Sequence, residues 1–166
     1  MTTRMTPITA GSTPADEGLS WLLDEFVGRV IGVTAALLVS RDGLKTAAAR
    51  LADDQADKAA AWVASLHSLA RSAGAISGLK TSGFRQAVIE DDGVLVFVVS
   101  ADYERHGGTG LVGSVLGVLA RPDSDPGVIG HEIGLLVGSV ADHLATRPRG
   151  DAHSSPSSGT RGCEAR

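Results

Sequence analysis

Between Asp53 and Ala73 the chain runs DDQADKAAAWVASLHSLARSA with no glycine or proline, and its apolar residues return at helical intervals. At about 100° per residue, Ala56, Ala59, Trp62, Val63, Leu66, Leu69, Ala70 and Ala73 gather on one side; Asp57, Ser65, Ser68, Arg71 and Ser72 fall opposite. The stripe is wider than the ~100° that one sheet contact needs. Trp62 and Leu69 extend one flank, and Ala56, Ala60 and Val63 extend the other. The pattern predicts a helix with two contacts, a sheet beneath and a partner beside. Either Asp53 or Asp54 is its expected N-cap.

On both sides of this helix the period changes. Leu19, Leu22, Leu23, Phe26, Val27 and Val30 predict a short amphipathic helix over about Gly18 to Val30 that covers a sheet. Val33 to Ser40 is β-branched and aliphatic, and Asp42-Gly43 separates it from a second extended run, LKTAAAR. An Asp-Gly pair between apolar runs is a hairpin signal, because its glycine takes the positive φ of a tight turn. Asp91-Asp92-Gly93 repeats that signal between Phe84 to Glu90 and Val94 to Ser100. The wholly apolar VLVFVVS predicts a central strand covered on both faces. A loop, ADYERHGGTGLVG, then leads to a fifth expected strand, SVLGVLA. In the last helix Asp125 is the expected N-cap, Pro126 suits the first turn, and Arg147-Pro148 ends it. Its Gly130, Gly134 and Gly138 each cost ~1 kcal/mol of helix propensity, which predicts close packing of that row against the first helix.

The flanks differ in composition from this core. Residues 1–17 are rich in Thr, Pro and Gly and predict a flexible arm, residues 148–166 a disordered tail, and residues 18–147 one domain. A net charge of -4 with scattered basic residues argues against a nucleic-acid surface. The single cysteine, Cys163, builds no disulfide framework within one chain. With no signal-like or membrane-spanning run, the expectation is a cytoplasmic protein without direct membrane insertion.

Candidate chemistry is sparse. Gly108-Thr109-Gly110-Leu111-Val112-Gly113 spells the dinucleotide fingerprint G-x-G-x-x-G. That fingerprint requires a strand running straight into the glycine turn and a helix after it. Here polar residues including Tyr103, Glu104, Arg105 and His106 intervene, and a β-rich run follows. His131-Glu132 opens like a zinc-protease helix, but Leu135 stands where the second histidine is needed. Ser139, Asp142, His131 and His143 share a polar helix face, which offers no oxyanion pocket. His67 sits at the margin of the apolar stripe and reads as an interface or boundary histidine. Arg41, with Asp42 beside it, and Arg85 lie by a turn and a strand start, positions open to a partner. No catalytic residue, metal ligand or cofactor site is expected.

Three stretches carry a family resemblance: LSWLLDEFV at Leu19 to Val27, GVTAALLVSRDGL at Gly32 to Leu44, and ASLHSLAR at Ala64 to Arg71. Asp125, Gly127, Glu132, Leu136 and Val137 add a D-x-G-x-x-x-x-E-x-x-x-L-V pattern. Together they resemble the Roadblock/LC7 family, and more narrowly its actinobacterial members. The resemblance implies an α+β fold, a five-stranded antiparallel sheet with the long central helix on one face and the two terminal helices on the other. It implies a homodimer in which the central helices meet through Ala56, Ala59, Ala60, Val63, Leu66, His67 and Ala70, and the strand carrying Phe84, Arg85, Gln86, Ala87 and Val88 pairs with its twin. It further implies a non-enzymatic regulator or scaffold for a Ras-like small GTPase in a bacterial signalling module, with a sensor kinase-like protein as a further partner. The 103–111 loop is longer than the family's usual turn. The alternative is a small-molecule or nucleotide sensor using the Gly-rich 103–113 loop.

Overall fold

The computed structural model describes residues 14–76, 78, 83–101, 103–104 and 111–145. The expected arm up to residue 13, the interior of the Gly-rich loop, and the segment from 146 onward lie outside them. The elements are α1 (Pro14–Arg29), β1 (Val33–Ser40), β2 (Lys45–Ala49), α2 (Asp53–Ile76), β3 (Gln86–Asp91), β4 (Val94–Ser100), β5 (Tyr103–Glu104), β6 (Leu111–Val112), β7 (Ser114–Ala120) and α3 (Pro126–Ala145). Helix α1 begins inside the stretch expected to be an arm, at a proline whose fixed φ suits a helix start.

Five strands form one antiparallel sheet in the order β2-β1-β7-β4-β3. Alternation along each strand divides the core in two. Leu38, Phe97, Leu116 and Val118 join Leu23, Phe26, Ile129 and Ile133, which places α1 and α3 on one face. Leu37, Val39, Val96, Val98 and Val115 join Ala60, Val63 and Ala64 of α2 on the other. Both layers and the doubly covered β4 match the expectation from sequence.

Local chemistry sets the boundaries. Gly43 turns β1 into β2 with φ +89°, and Ser40 Oγ closes that turn by accepting from Leu44 N at 3.0 Å. The same hydroxyl bonds the Asp42 side chain, which holds that carboxyl below its ordinary range. Asp125 caps α3, its Oδ1 accepting from Gly127 N at 2.7 Å and Val128 N at 3.1 Å. At α2 the expected Asp cap is replaced. Ala52 O takes the first helical bond, from Ala56 N at 2.8 Å, and Asp53 instead accepts from Lys45 Nζ at 3.3 Å. Lys45 also pairs with Asp57 at 2.9 Å, tying β2 to the first turns of α2.

Two expectations about loops and glycines are overturned. The 101–113 segment carries a short antiparallel ribbon, Tyr103 pairing with Val112 and Glu104 with Leu111. It continues the β4–β7 hairpin beyond the bond from Ala101 N to Ser114 O. The glycine row of α3 does not pack on α1. A Cβ added at Gly134 or Gly138 meets nothing within 4 Å, and at Gly130 only Gln86 Nε2 at 4.0 Å. Ile129, Ile133, Leu136 and Val140 face the sheet, which turns the glycine row toward the β3 edge. Between α3 and α1 runs an Arg29–Glu132 ion pair at 2.7 Å.

The close approach occurs under α2. A Cβ at Gly117 would lie 2.8 Å from Leu37 Cδ2 and 2.9 Å from Val63 Cγ2. Gly117→Ala is expected to cost about 1–3 kcal/mol, read as a lower urea midpoint. The Lys45 pKa is raised, chiefly by its bond to Asp57. A raised lysine pKa contributes stability that is complete below the unfolded value and lost as pH climbs through the folded one. Asp57→Asn should therefore cost up to ~1 kcal/mol at neutral pH, and thermal melts of the two proteins should converge above the raised pKa.

Candidate functional site

Helix α2 divides into three strips. Ala60, Val63 and Ala64 are buried against the sheet, and Ala56 and His67 on the same side of the helix are buried as well. Asp57, Ala61, Ser65, Ser68 and Ser72 lie toward β2 and the β1–β2 turn, since Lys45 holds Asp57 and Ser65 and Ser68 share a groove with Arg41, Asp42 and Gly43. Ala59, Leu66, Ala70 and Trp62 therefore lie toward β4 and β3, whereas Leu69, on the outer side of the helix, also lines the groove beside Arg41, Asp42 and Gly43. Ala59, Leu66 and Ala70 are half-buried, whereas Trp62 is 46% and Leu69 69% exposed.

These facts redistribute the residues named from sequence. Ala56, Ala60, Val63 and His67 are each at most 3% exposed within this one chain, which leaves them no free surface. The helical wheel showed a wide stripe but not which part of it the sheet would take. His67, only 3% exposed, packs edge-on against Phe84 with ring centroids 5.2 Å apart. Its Nε2 lies 3.3 Å from Ser100 Oγ, so it joins α2 to β4 and to the entry of β3. Trp62 and Leu69, the flank whose contact the sequence left open, are not covered by the sheet.

Beside that flank lies an unpaired sheet edge. β3 bonds β4 on one side only, and Val88 is 41% exposed. Ala87 and Ile89 are half-buried, while Arg85, Gln86 and Glu90 are exposed. Phe84 and Arg85 precede the strand, which begins at Gln86. An exposed edge together with exposed apolar side chains marks a surface suited to association.

The two arginines do not converge. Both occupy the sheet end where β1 finishes and β3 begins, three strand steps or roughly 14 Å apart. The Arg41 side chain lies across Gly113, filling the space a Cβ would take. Nor does the glycine fingerprint find its setting: strand β7, not a helix, follows Gly113. Among the described residues no group of His, Cys, Asp and Glu is arranged to hold a metal. No helix among them is long and apolar enough to cross a membrane.

Substitutions should separate the strips. Val63→Glu buries an unpaired charge beneath α2 and is expected to cost about 3 kcal/mol or more. Trp62→Ser and Leu69→Ser should each change the subunit's own stability by less than ~1 kcal/mol, measured by chemical denaturation.

A Roadblock/LC7 domain model matches residues 19–105. No curated protein matches the chain. It resembles the crystal structure of a Roadblock/LC7 domain from Streptomyces avermitilis at 40% identity and TM-score 0.66, covering 76% of this chain and 98% of that one. A second such domain from Streptomyces avermitilis is 30% identical, with TM-score 0.55 and coverages of 73% and 96%. MglB from Myxococcus xanthus shares the fold at 13% identity and TM-score 0.60, over 82% of this chain and 92% of that one. In sequence and in fold, this chain belongs to the Roadblock/LC7 family.

Proposed function

We propose that the protein is a homodimeric, non-enzymatic regulator or scaffold of a Ras-like small GTPase in a bacterial signalling module. The observation that carries the reading is the junction of two uncovered surfaces: the flank of α2 with Ala59, Trp62, Leu66 and Ala70, and the free edge of β3. Joined to a twin, that edge becomes the middle of a continuous sheet and the two α2 flanks meet above it. Ala59, Leu66, Ala70 and Trp62 then form the helix seam with Leu69 at its outer margin, and Phe84 to Val88 lie along the strand seam. Family membership supports a GTPase as partner, with a sensor kinase-like protein as a second. Arg41 and Asp42, at the exposed β1–β2 turn, and Arg85 are the polar contacts offered to such partners. The domain spans 18–147 in this reading, preceded by the α1 entry.

Regulation requires a partner conformation to be favoured, so the dimer must bind one nucleotide state more tightly. Titration calorimetry with a cognate Ras-like GTPase should show at least ~10-fold tighter binding to either the GDP or the GTP-analogue form. Equal affinities would reduce the reading to a scaffold, and no binding to either form would sink it. Light scattering should report a dimer that the Trp62→Ser, Leu69→Ser double variant shifts toward monomer.

A further inference from the structure

A cavity of about 450 Å³ lies between the middle of α3 and the entry of β3, within the roughly 300–1,000 Å³ range of small-molecule sites. Val99, Ile133 and Val137 give it an aliphatic wall. Val99 and Ile133 are core residues, 8% and 1% exposed, so that wall is held by the sheet. Gly130 and Gly134 line it from the helix, and the space is the room that larger side chains at these two positions would take. Arg85 and Gln86 supply exposed polar side chains at the strand entry, and the Gln86 amide approaches Gly130. Among the described residues, Arg85 is the one ionisable side chain lining the cavity. No carboxylate stands beside it there, and its guanidinium makes no ion pair among the described residues.

We infer that this cavity binds a small aliphatic monocarboxylate, its hydrocarbon body against Val99, Ile133 and Val137 beside the bare backbone of Gly130 and Gly134, and its carboxylate at Arg85. A lone cation in a cavity without an acidic neighbour favours an anion. A guanidinium presents its donors in a planar fork that matches the two oxygens of a carboxylate, and the Gln86 amide is a second donor within the same wall. One cation suits one negative charge. A nucleotide asks for several phosphate donors and a free aromatic face, whereas the Phe84 ring at this cavity is already met edge-on by His67, and the Ser100 hydroxyl lies 3.3 Å from the same histidine. The remaining wall is aliphatic, so the body of the ligand is aliphatic too. A bound chain bridges α3 to the entry of β3 and covers the side of the helix that its glycines leave bare. Occupancy therefore holds α3 on the sheet, and it makes no use of the α2 flank or of a GTPase.

Titration calorimetry on the full chain, with sodium hexanoate, octanoate and decanoate as probes, tests the site. At least one of them should bind once per chain with a Kd below about 1 mM. Its uncharged amide, of the same length and shape, should bind about tenfold more weakly. Arg85→Gln should erase that preference by weakening the carboxylate and leaving the amide unchanged. Gly134→Leu puts a side chain into the cavity at a position where a Cβ meets nothing within 4 Å, and it removes a helix-weakening glycine. This variant should melt no lower than wild type, yet bind the carboxylate at least ~10-fold more weakly. The carboxylate should raise the melting temperature of the wild type and not that of Gly134→Leu. Failure of all three probes to bind the wild type, or equal binding by Gly134→Leu, overturns the site. An amide that binds as tightly as its carboxylate overturns the ligand class. The dimer and the GTPase partner are decided by their own measurements and stand or fall apart from these results.

Discussion

The contact of Val63 on α2 with Gly117 on β7 sets how low the central helix rides over the sheet. At 2.9 Å from the place a Cβ would occupy, the Val63 methyl group lies against bare backbone. Ala56, Ala60 and Ala64 bring no bulk that would lift the helix away. A low helix buries its narrow strip completely and leaves the bulkier flank, Trp62 and Leu69, projecting beyond the contact. The outward-looking surface of this domain thus follows from the absence of one side chain in the middle of its sheet.

Much of the architecture was legible because local chemistry and hydrophobic period agreed. Asp42-Gly43 and Asp92-Gly93 did become tight turns, Asp125 did cap the last helix, and the unbroken apolar run of β4 did lie under cover on both faces. Other features depended on tertiary facts that a linear reading lacks. A helical wheel gives angles between residues without an origin, so it set Val63 and Trp62 on opposite flanks of one stripe without showing which flank the sheet would take. The Asp53 cap was a sound local inference, displaced by Lys45 reaching from another strand. The Gly-rich motif matched in letters only, since a strand follows it. Two-residue strands such as β5 and β6 are too short to leave a periodic signal.

For function, the domain's uneven finish is informative. One sheet edge and one helix flank lie side by side without cover, while both sheet faces are filled. The polar side chains near that border, Arg85, Gln86 and Glu90, are exposed.

The glycine row of α3 has a different consequence. Gly130, Gly134 and Gly138 weaken the helix by ~1 kcal/mol each, and no backbone approaches Gly134 or Gly138 to compensate. The segment then stays helical because Ile129, Ile133, Leu136 and Val140 are docked on the sheet. Undocking and unwinding become a single event. Were α3 to lift from the sheet it would leave as coil, uncovering Phe97 and Leu116 in the same step, so the cover over that half of the core holds its shape only while it is in place.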